Sequence, residues 1–341
     1  MNRIAILGGG AWGTALAVHL GRLSHQVRLW THRPEAAAAM MRQRENQRYL
    51  PGYKLPPEVS VSTALDETLE RAEVVVIAVP SHVCREVFLQ VGDRLPSAAL
   101  LVSATKGIET GTLMRISEVM AEVWGSDTRS RAVVLSGPSF AQEVARGDPT
   151  AVALASEELL SAEKLQRAFS SLNFRFYTNT DVIGTELGGA LKNVVAIAAG
   201  VLQGMGLGYN TNAALITRGL AEIGRMCAQL GGRPETVAGL AGLGDLVLTC
   251  TGALSRNRAV GIRLGQGMSL EQAQREVRAV AEGVRTTASA HALAQRHGIE
   301  MPIVAQMHAV LYAGKSPREA VGELMRRNLK PEFEPDRNSI Q

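Results

Sequence analysis

A lysine used for proton transfer should stand where water cannot fully solvate its charge, and Lys192 occupies such a place. It sits in Gly188-Gly189-Ala190-Leu191-Lys192-Asn193, at the expected start of an apolar helix, and residues 193–217 contain no Lys, Arg, Asp or Glu. Partial burial disfavours the ammonium and moves its pKa towards the range useful for general acid and base work. Only six of the 36 basic residues are lysines. Arginine does most surface duty but cannot deprotonate, so a proton-transfer position still demands lysine. Asp245 follows the glycines of Gly239-Leu240-Ala241-Gly242-Leu243-Gly244, which let a backbone come close to a ligand. Ser255-Arg256-Asn257 then offers a hydroxyl, a guanidinium fork and an amide ahead of a helical pattern. That set suits a small phosphate monoester.

Two further polar segments stand directly after apolar strands. They are Ser103-Ala104-Thr105-Lys106-Gly107 and Leu135-Ser136-Gly137-Pro138-Ser139-Phe140-Ala141. Ligands in open α/β sheets bind at such strand ends. The strands that must place these groups are read at 4–7, 27–30, 74–79, 99–103, 132–135 and 151–155. Continuous apolar runs such as Val74-Val75-Val76-Ile77-Ala78-Val79 are the mark of strands buried on both faces of a parallel sheet. Helix-period segments lie between them, as at Leu16, Leu20 and Leu23, so residues 1–185 read as a doubly wound α/β domain. From 186 to 330 β-branched runs become scarce and helical patterns with glycine breaks take over, as at 213–230 and 270–280, so an all-α domain is expected. The polar, proline-punctuated residues 331–341 read as a flexible tail.

The first strand runs into Gly8-Gly9-Gly10-Ala11-Trp12-Gly13 and then a helix, the strand–turn–helix context that gives GxGxxG its meaning. Gly8 should make the tight turn and Gly10 should let the backbone approach a pyrophosphate. Gly13 should permit close packing of helix on strand, with the diphosphate at the helix N-terminus. The second strand ends in Trp30-Thr31-His32-Arg33, with no Asp or Glu to hold a ribose 2′-hydroxyl. A carboxylate there would repel a 2′-phosphate, whereas Arg33 can pair with one and stack on adenine. NADPH is therefore the expected cofactor, with NADH also admitted.

Composition removes other classes. With 341 residues, 46% hydrophobic and 20% charged, the chain is neither collagenous, disordered nor a disulfide scaffold. A net charge of +4 is too faint to imply binding to nucleic acid or anionic membranes. Cys84, Cys227 and Cys250 are far apart and lack CxxC pairing, so reduced cytoplasmic thiols are expected. Met1-Asn2-Arg3 leads straight into a strand pattern, so no targeting segment is expected. The apolar run 194–202 is too short for a bilayer span of about 20 residues. Gln203, Asn210, Thr211, Asn212 and glycines 200, 204, 206 and 208 break up the remainder of the charge-free stretch. It reads as a buried helix running into a polar loop, without membrane insertion. The seven histidines show no HxH or HExxH spacing, so no metal is expected, and no Gly-x-Ser-x-Gly elbow supports hydrolase chemistry.

Taken in order, segments 8–15, Lys106-Gly107, 135–143, 184–200, 239–245, Ser255-Arg256-Asn257-Arg258 and Ala281-Glu282-Gly283-Val284 resemble bacterial NAD(P)-dependent glycerol-3-phosphate dehydrogenases over essentially the whole chain except the tail. The resemblance implies a Rossmann-type domain followed by an α-helical domain. It also implies reduction of dihydroxyacetone phosphate to sn-glycerol 3-phosphate, supply of glycerophospholipid synthesis, and a cytoplasmic homodimer. Lys192 is implied as proton donor and acceptor, and Lys106, Gly137, Ser139, Asp245, Ser255, Arg256 and Asn257 as further substrate contacts. Ala11, Trp12, His32, Arg33, Ala141, Val280 and Glu282 are implied to line the NADPH site with the glycines, and Lys106 and Arg256 to reach the cofactor too. Family members often have Ser or Thr where this chain has Ala11, so one side-chain contact is lost while the backbone N–H remains. Two other readings stay open on sequence alone. One is another two-domain hydroxy-acid or sugar dehydrogenase, against which the Lys106, Asp245 and Ser255-Arg256-Asn257 set speaks. The other is a non-catalytic NAD(P)-binding regulator, which would need neither Lys192 nor Asp245.

Overall fold

The computed structural model describes residues 2–277 and 281–332. Among them the strands are β1 (Arg3–Leu7), β2 (Gln26–Trp30), β3 (Glu45–Asn46), β4 (Leu50–Lys54), β5 (Val59–Ser62), β6 (Val74–Ile77), β7 (Leu100–Ser103), β8 (Ala132–Ser136), β9 (Thr150–Ala155) and β10 (Phe174–Asn179). Eight of them form one sheet in the order β10-β9-β8-β7-β6-β1-β2-β5, and β3 and β4 form a separate hairpin. Side chains alternate between two apolar layers: Ile4 and Ile6 enter one core, Ala5 and Leu7 the other. The sheet is thus covered on both faces, as continuous apolar strands require.

The expected strands are all present to within two residues at either end. Two edge strands escape the apolar-run criterion. In β10, Phe174 and Phe176 point inward while Arg175 and Tyr177 face solvent, and β5 reads Val-Ser-Val-Ser. Such alternation marks strands with one wet face. The sheet is also not wholly parallel, because β9 pairs antiparallel with β8 and β10 runs parallel to β9. Between β8 and β9 lies only the six-residue helix Ala141–Arg146, ended by Gly147 at φ +95°. A helix of that length rises about 9 Å, roughly half of what a parallel return along β8 needs.

The helical layer is built on the 23-residue helix Val182–Gly204. It begins ten residues before Lys192, so this lysine lies inside the helix instead of opening it. The Asp181 carboxylate caps the start by accepting the Gly184 N–H at 2.8 Å. Glycines 200 and 204 do not interrupt the helix. They are contact points with the helix Arg256–Gly265, where an added Cβ on Gly200 would lie 2.1 Å from Arg258 O and one on Gly261 2.0 Å from Ile197 O. The two helices meet backbone to backbone. Asn210, Thr211 and Asn212 form the first turn of the next helix, Tyr209–Gln229, and not a loop. The Val182–Gly204 helix is long and apolar enough to cross a membrane, but nearly all of its apolar length is buried inside the fold. Of the pattern expected at 270–280, the helix Leu270–Val277 is present. Val280, and the tail from 333 on, lie outside the described residues.

Replacing Gly261 by alanine should force these backbones apart, lowering stability by about 1–3 kcal/mol. A thermal melt checks this, and an unchanged Tm would contradict the contact.

Candidate active site

The C-terminal ends of β1, β6 and β7 and the segment after β8 face the helical layer across a cleft of about 380 Å³. Gly10, Ala11 and Trp12 line it from the sheet side, Lys192, Arg256 and Glu282 from the helical side. The glycine turn meets each spatial demand expected of it. Gly8 has φ +128°, a conformation that favours glycine, and an added Cβ would lie 2.5 Å from Ala78 O. A Cβ on Gly13 would fall 2.0 Å from Gly8 O, so the helix Ala11–Arg22 sits directly on the turn. At Gly10 an added Cβ meets nothing within 4 Å, leaving an open cradle at a helix start that no side chain caps. Trp12 Nε1 is buried there without a hydrogen-bond partner. Free N–H groups, an open face and an orphaned donor fit the diphosphate of a dinucleotide.

The polar centre lies deeper. Asp245 is 1% exposed, and its carboxylate is gripped by two ammonium groups. Lys192 Nζ donates to Oδ1 at 2.5 Å and Lys106 Nζ to Oδ2 at 2.6 Å. Lys106 also donates to Gly137 O at 3.0 Å, and Ser139 Oγ donates to the same carbonyl at 2.9 Å. The Thr249 hydroxyl donates to Asp245 O at 2.6 Å and accepts from Lys192 at 2.8 Å. An ammonium has three N–H donors. Two are engaged on each lysine, and each keeps one for a group in the cleft that both line. Burial is the largest influence on Lys192 and, with the nearby Lys106 charge, pulls its pKa down to about 8 against the pull of Asp245. Burial pushes the Glu282 carboxyl up to about 7, opposed by Lys192, Lys106 and Arg256. The Cys250 thiol, pushed up to about 12 by burial, stays protonated.

Ser255 caps the helix Arg256–Gly265, its Oγ accepting the Arg258 N–H at 3.2 Å, and its proton remains for a ligand. Asn257 is tied into the fold. Its Oδ1 accepts the Gly283 N–H at 3.0 Å, and its Nδ2 donates to Asn193 Oδ1 at 2.8 Å with one N–H to spare. Arg256 is exposed, lines the cleft, and makes no hydrogen bond among the described residues. Ala141 also lines the cleft. His32 and Arg33 stand apart from its lining at the end of β2, where Arg33 Nε donates to His32 Nε2 at 3.1 Å. Asp245 is not in a glycine loop. It opens the helix Asp245–Thr251 after a π-helical turn, Leu240–Gly244.

Three contributors are not evident as site residues in the sequence. Thr249 stands four residues after Asp245, so helical spacing alone would have put the two on one face. Asn193 adjoins Lys192. Tyr49 reaches the cleft because Asn46 accepts its N–H at 3.2 Å and donates to Gly9 O at 3.0 Å and Thr14 Oγ1 at 2.8 Å, a link no local pattern announces. Among the described residues no group of three or more His, Cys, Asp or Glu side chains is placed to hold a metal ion.

Comparison with known proteins agrees with this geometry. Residues 3–162 match the family described as NAD-dependent glycerol-3-phosphate dehydrogenase N-terminus, and residues 181–322 its C-terminus. A glycerol-3-phosphate dehydrogenase [NAD(P)+] of Koribacter versatilis is 53% identical over 96% of this chain and 98% of its own length. One from Citrifermentans bemidjiense is 51% identical over 97% and 99%. The crystal structure of glycerol-3-phosphate dehydrogenase from Coxiella burnetii superposes with a TM-score of 0.91 at 43% identity, covering 96% of this chain and 99% of that one. Matched over both halves by one family and by full-length relatives at about 50% identity, the chain belongs to the NAD-dependent glycerol-3-phosphate dehydrogenase family.

Proposed function

We propose that the protein is an NAD(P)-dependent glycerol-3-phosphate dehydrogenase reducing dihydroxyacetone phosphate to sn-glycerol 3-phosphate. The observation that carries this reading is Asp245 holding Lys192 and Lys106 so that each keeps one N–H for the same cleft. Arg256, at that cleft with its guanidinium unengaged, binds the phosphate together with the Ser255 hydroxyl, the remaining Asn257 N–H and the helix start. Lys192 donates to the C2 carbonyl oxygen, polarises it, and transfers its proton as the alkoxide develops. Lys106 supplies a second donor to the substrate oxygens, and Asp245 keeps both ammonium groups aimed. Gly8, Gly10, Gly13, Ala11, Trp12, Ala141 and Glu282 hold the dinucleotide, which when bound supplies the hydride to C2. Positioning and a preorganised positive site at the developing alkoxide account for most of the rate gain.

We further propose NADPH as the preferred cofactor. No acid follows β2, and the Arg33 guanidinium, steadied by His32, keeps its outer nitrogens for a 2′-phosphate. A cytoplasmic homodimer supplying glycerophospholipid synthesis completes the proposal on the strength of the family resemblance; the change from strand to helical pattern supports two domains, 1–185 and 186–330, with the helix Val182–Gly204 crossing between them.

Absorbance decay of NADPH should be rapid with dihydroxyacetone phosphate and absent with unphosphorylated dihydroxyacetone. Lys192→Ala should cut turnover by about 10³-fold while NADPH still binds, and near-normal turnover would sink the assignment. Reduction needs the ammonium form, so kcat/KM for reduction should fall as pH rises through about 8 and the reverse oxidation should gain over the same range. A flat profile across that window would refute the role. Arg33→Ala should shift the NADPH-to-NADH ratio of kcat/KM about ten-fold towards NADH, and an unmoved ratio would count against the 2′-phosphate contact.

A further inference from the structure

The Lys192 helix is fastened to the sheet layer six residues ahead of Lys192, at a point the chemistry above does not use. Glu186 has a side chain only 4% exposed. Its Oε1 accepts the Ser117 N–H at 2.8 Å, and its Oε2 accepts Arg115 Nη1 at 2.7 Å and the Ser117 hydroxyl at 2.6 Å. Arg115 and Ser117 begin the helix Ile116–Trp124, so the carboxylate also occupies the positive end of that helix. Arg115 has a second attachment. Its backbone pairs with Ile108, and one step inside that pair the Glu109 N–H donates to Met114 O at 2.9 Å. The loop closed in this way begins beside Lys106.

Two chain segments are therefore linked at two places, once through Asp245 and once directly. One is the Lys192 helix and the other the loop from Lys106 to Arg115. At one end both lysines grip Asp245; about 9 Å along the helix, Glu186 grips Arg115 and Ser117. Between these points Gly189 lies flush on the end of β8, where an added Cβ would meet Ser136 Oγ at 2.4 Å. A rigid helix pinned at Glu186 has little freedom to slide or roll at Lys192.

We propose that Glu186 is a positioning residue for the reaction: clamped on Arg115 and Ser117, it sets the separation of Lys192 and Lys106 across Asp245 and so the aim of Lys192 at the substrate oxygen. This rests on the assignment of Lys192 as proton donor. The charged and titratable groups acting on that ammonium are Asp245, Lys106, Glu282 and the Cys250 thiol, with Arg256 beside Glu282. Glu186 touches none of them in the hydrogen-bond network, so it acts through geometry.

The test compares wild type, Glu186→Gln and the milder Ser117→Ala by NADPH titration, kcat, KM and the pH profile of reduction. Glu186→Gln keeps the side chain's size but removes its charge. Its kcat should fall about 10- to 100-fold, with NADPH affinity within about two-fold of wild type. Loosening the helix admits water to Lys192, so the alkaline limb should move to higher pH by about half a unit or more. Ser117→Ala should show the same pattern more weakly, and serves as the reading if Glu186→Gln does not fold. A variant that binds NADPH normally, with unchanged kcat per bound cofactor or an unmoved limb, overturns the clamp while leaving the Lys192 reading intact. A wild-type profile without any limb near pH 8 removes the Lys192 reading and the clamp with it.

Discussion

One buried carboxylate holds this site together. Asp245 is almost sealed from water and is bonded to two ammonium groups arriving from different layers of the fold, Lys106 from the sheet and Lys192 from the long helix. Buried ions need good geometry and full hydrogen bonding to offset their lost hydration. Here the Thr249 hydroxyl and the Gly137 carbonyl each take a second N–H of Lys192 and Lys106, leaving the third of each for the cleft. The arrangement is also unbalanced, two positive charges on one negative. Burial, with that imbalance, pulls the Lys192 pKa down to about 8, and the imbalance leaves net positive charge deep in the cleft.

The surroundings favour anions as well. The helices beginning at Ala11, Arg256 and Glu282 all start at the cleft, so the positive ends of three helices meet Lys106, Lys192 and Arg256 there, the first of them with no side-chain cap. A phosphate ester and a dinucleotide diphosphate are ligands such a field attracts. Glu282, whose carboxyl burial raises to about 7, is a second acid within this field, and its proximity to three cations moderates the shift.

Close backbone packing makes the electrostatics precise in space. Gly200 and Gly204 against Gly261 and Gly265 bring the Arg256–Gly265 helix onto the Lys192 helix. That contact delivers Asn257 to Asn193, one residue from the proposed proton donor, and sets Ser255 and Arg256 at the rim. The glycines that look like helix breaks along the chain are the reason two helices can approach so nearly. Local propensity yields to tertiary contact at these positions.

Much of the fold and of the site is legible in the chain itself. Strands buried on both faces announce themselves as unbroken apolar runs, the glycine turn by its place between strand and helix, and Lys192 by the charge-free stretch beyond it. Asp245 and Ser255-Arg256-Asn257 stand out as polar groups at backbone turns. These signals are local, set by residue type and by the repeat of strand or helix, and so they survive in one dimension. The antiparallel reversal at β9, the wet edge strands, the mid-helix place of Lys192, the Thr249 bond and the link from Asn46 to Gly9 were decided by tertiary structure. Each depends on which residues meet across large separations in the chain. So does the lowered pKa of Lys192: sequence supplies the lysine, but only the packed fold removes its water and brings Asp245 and Lys106 to it.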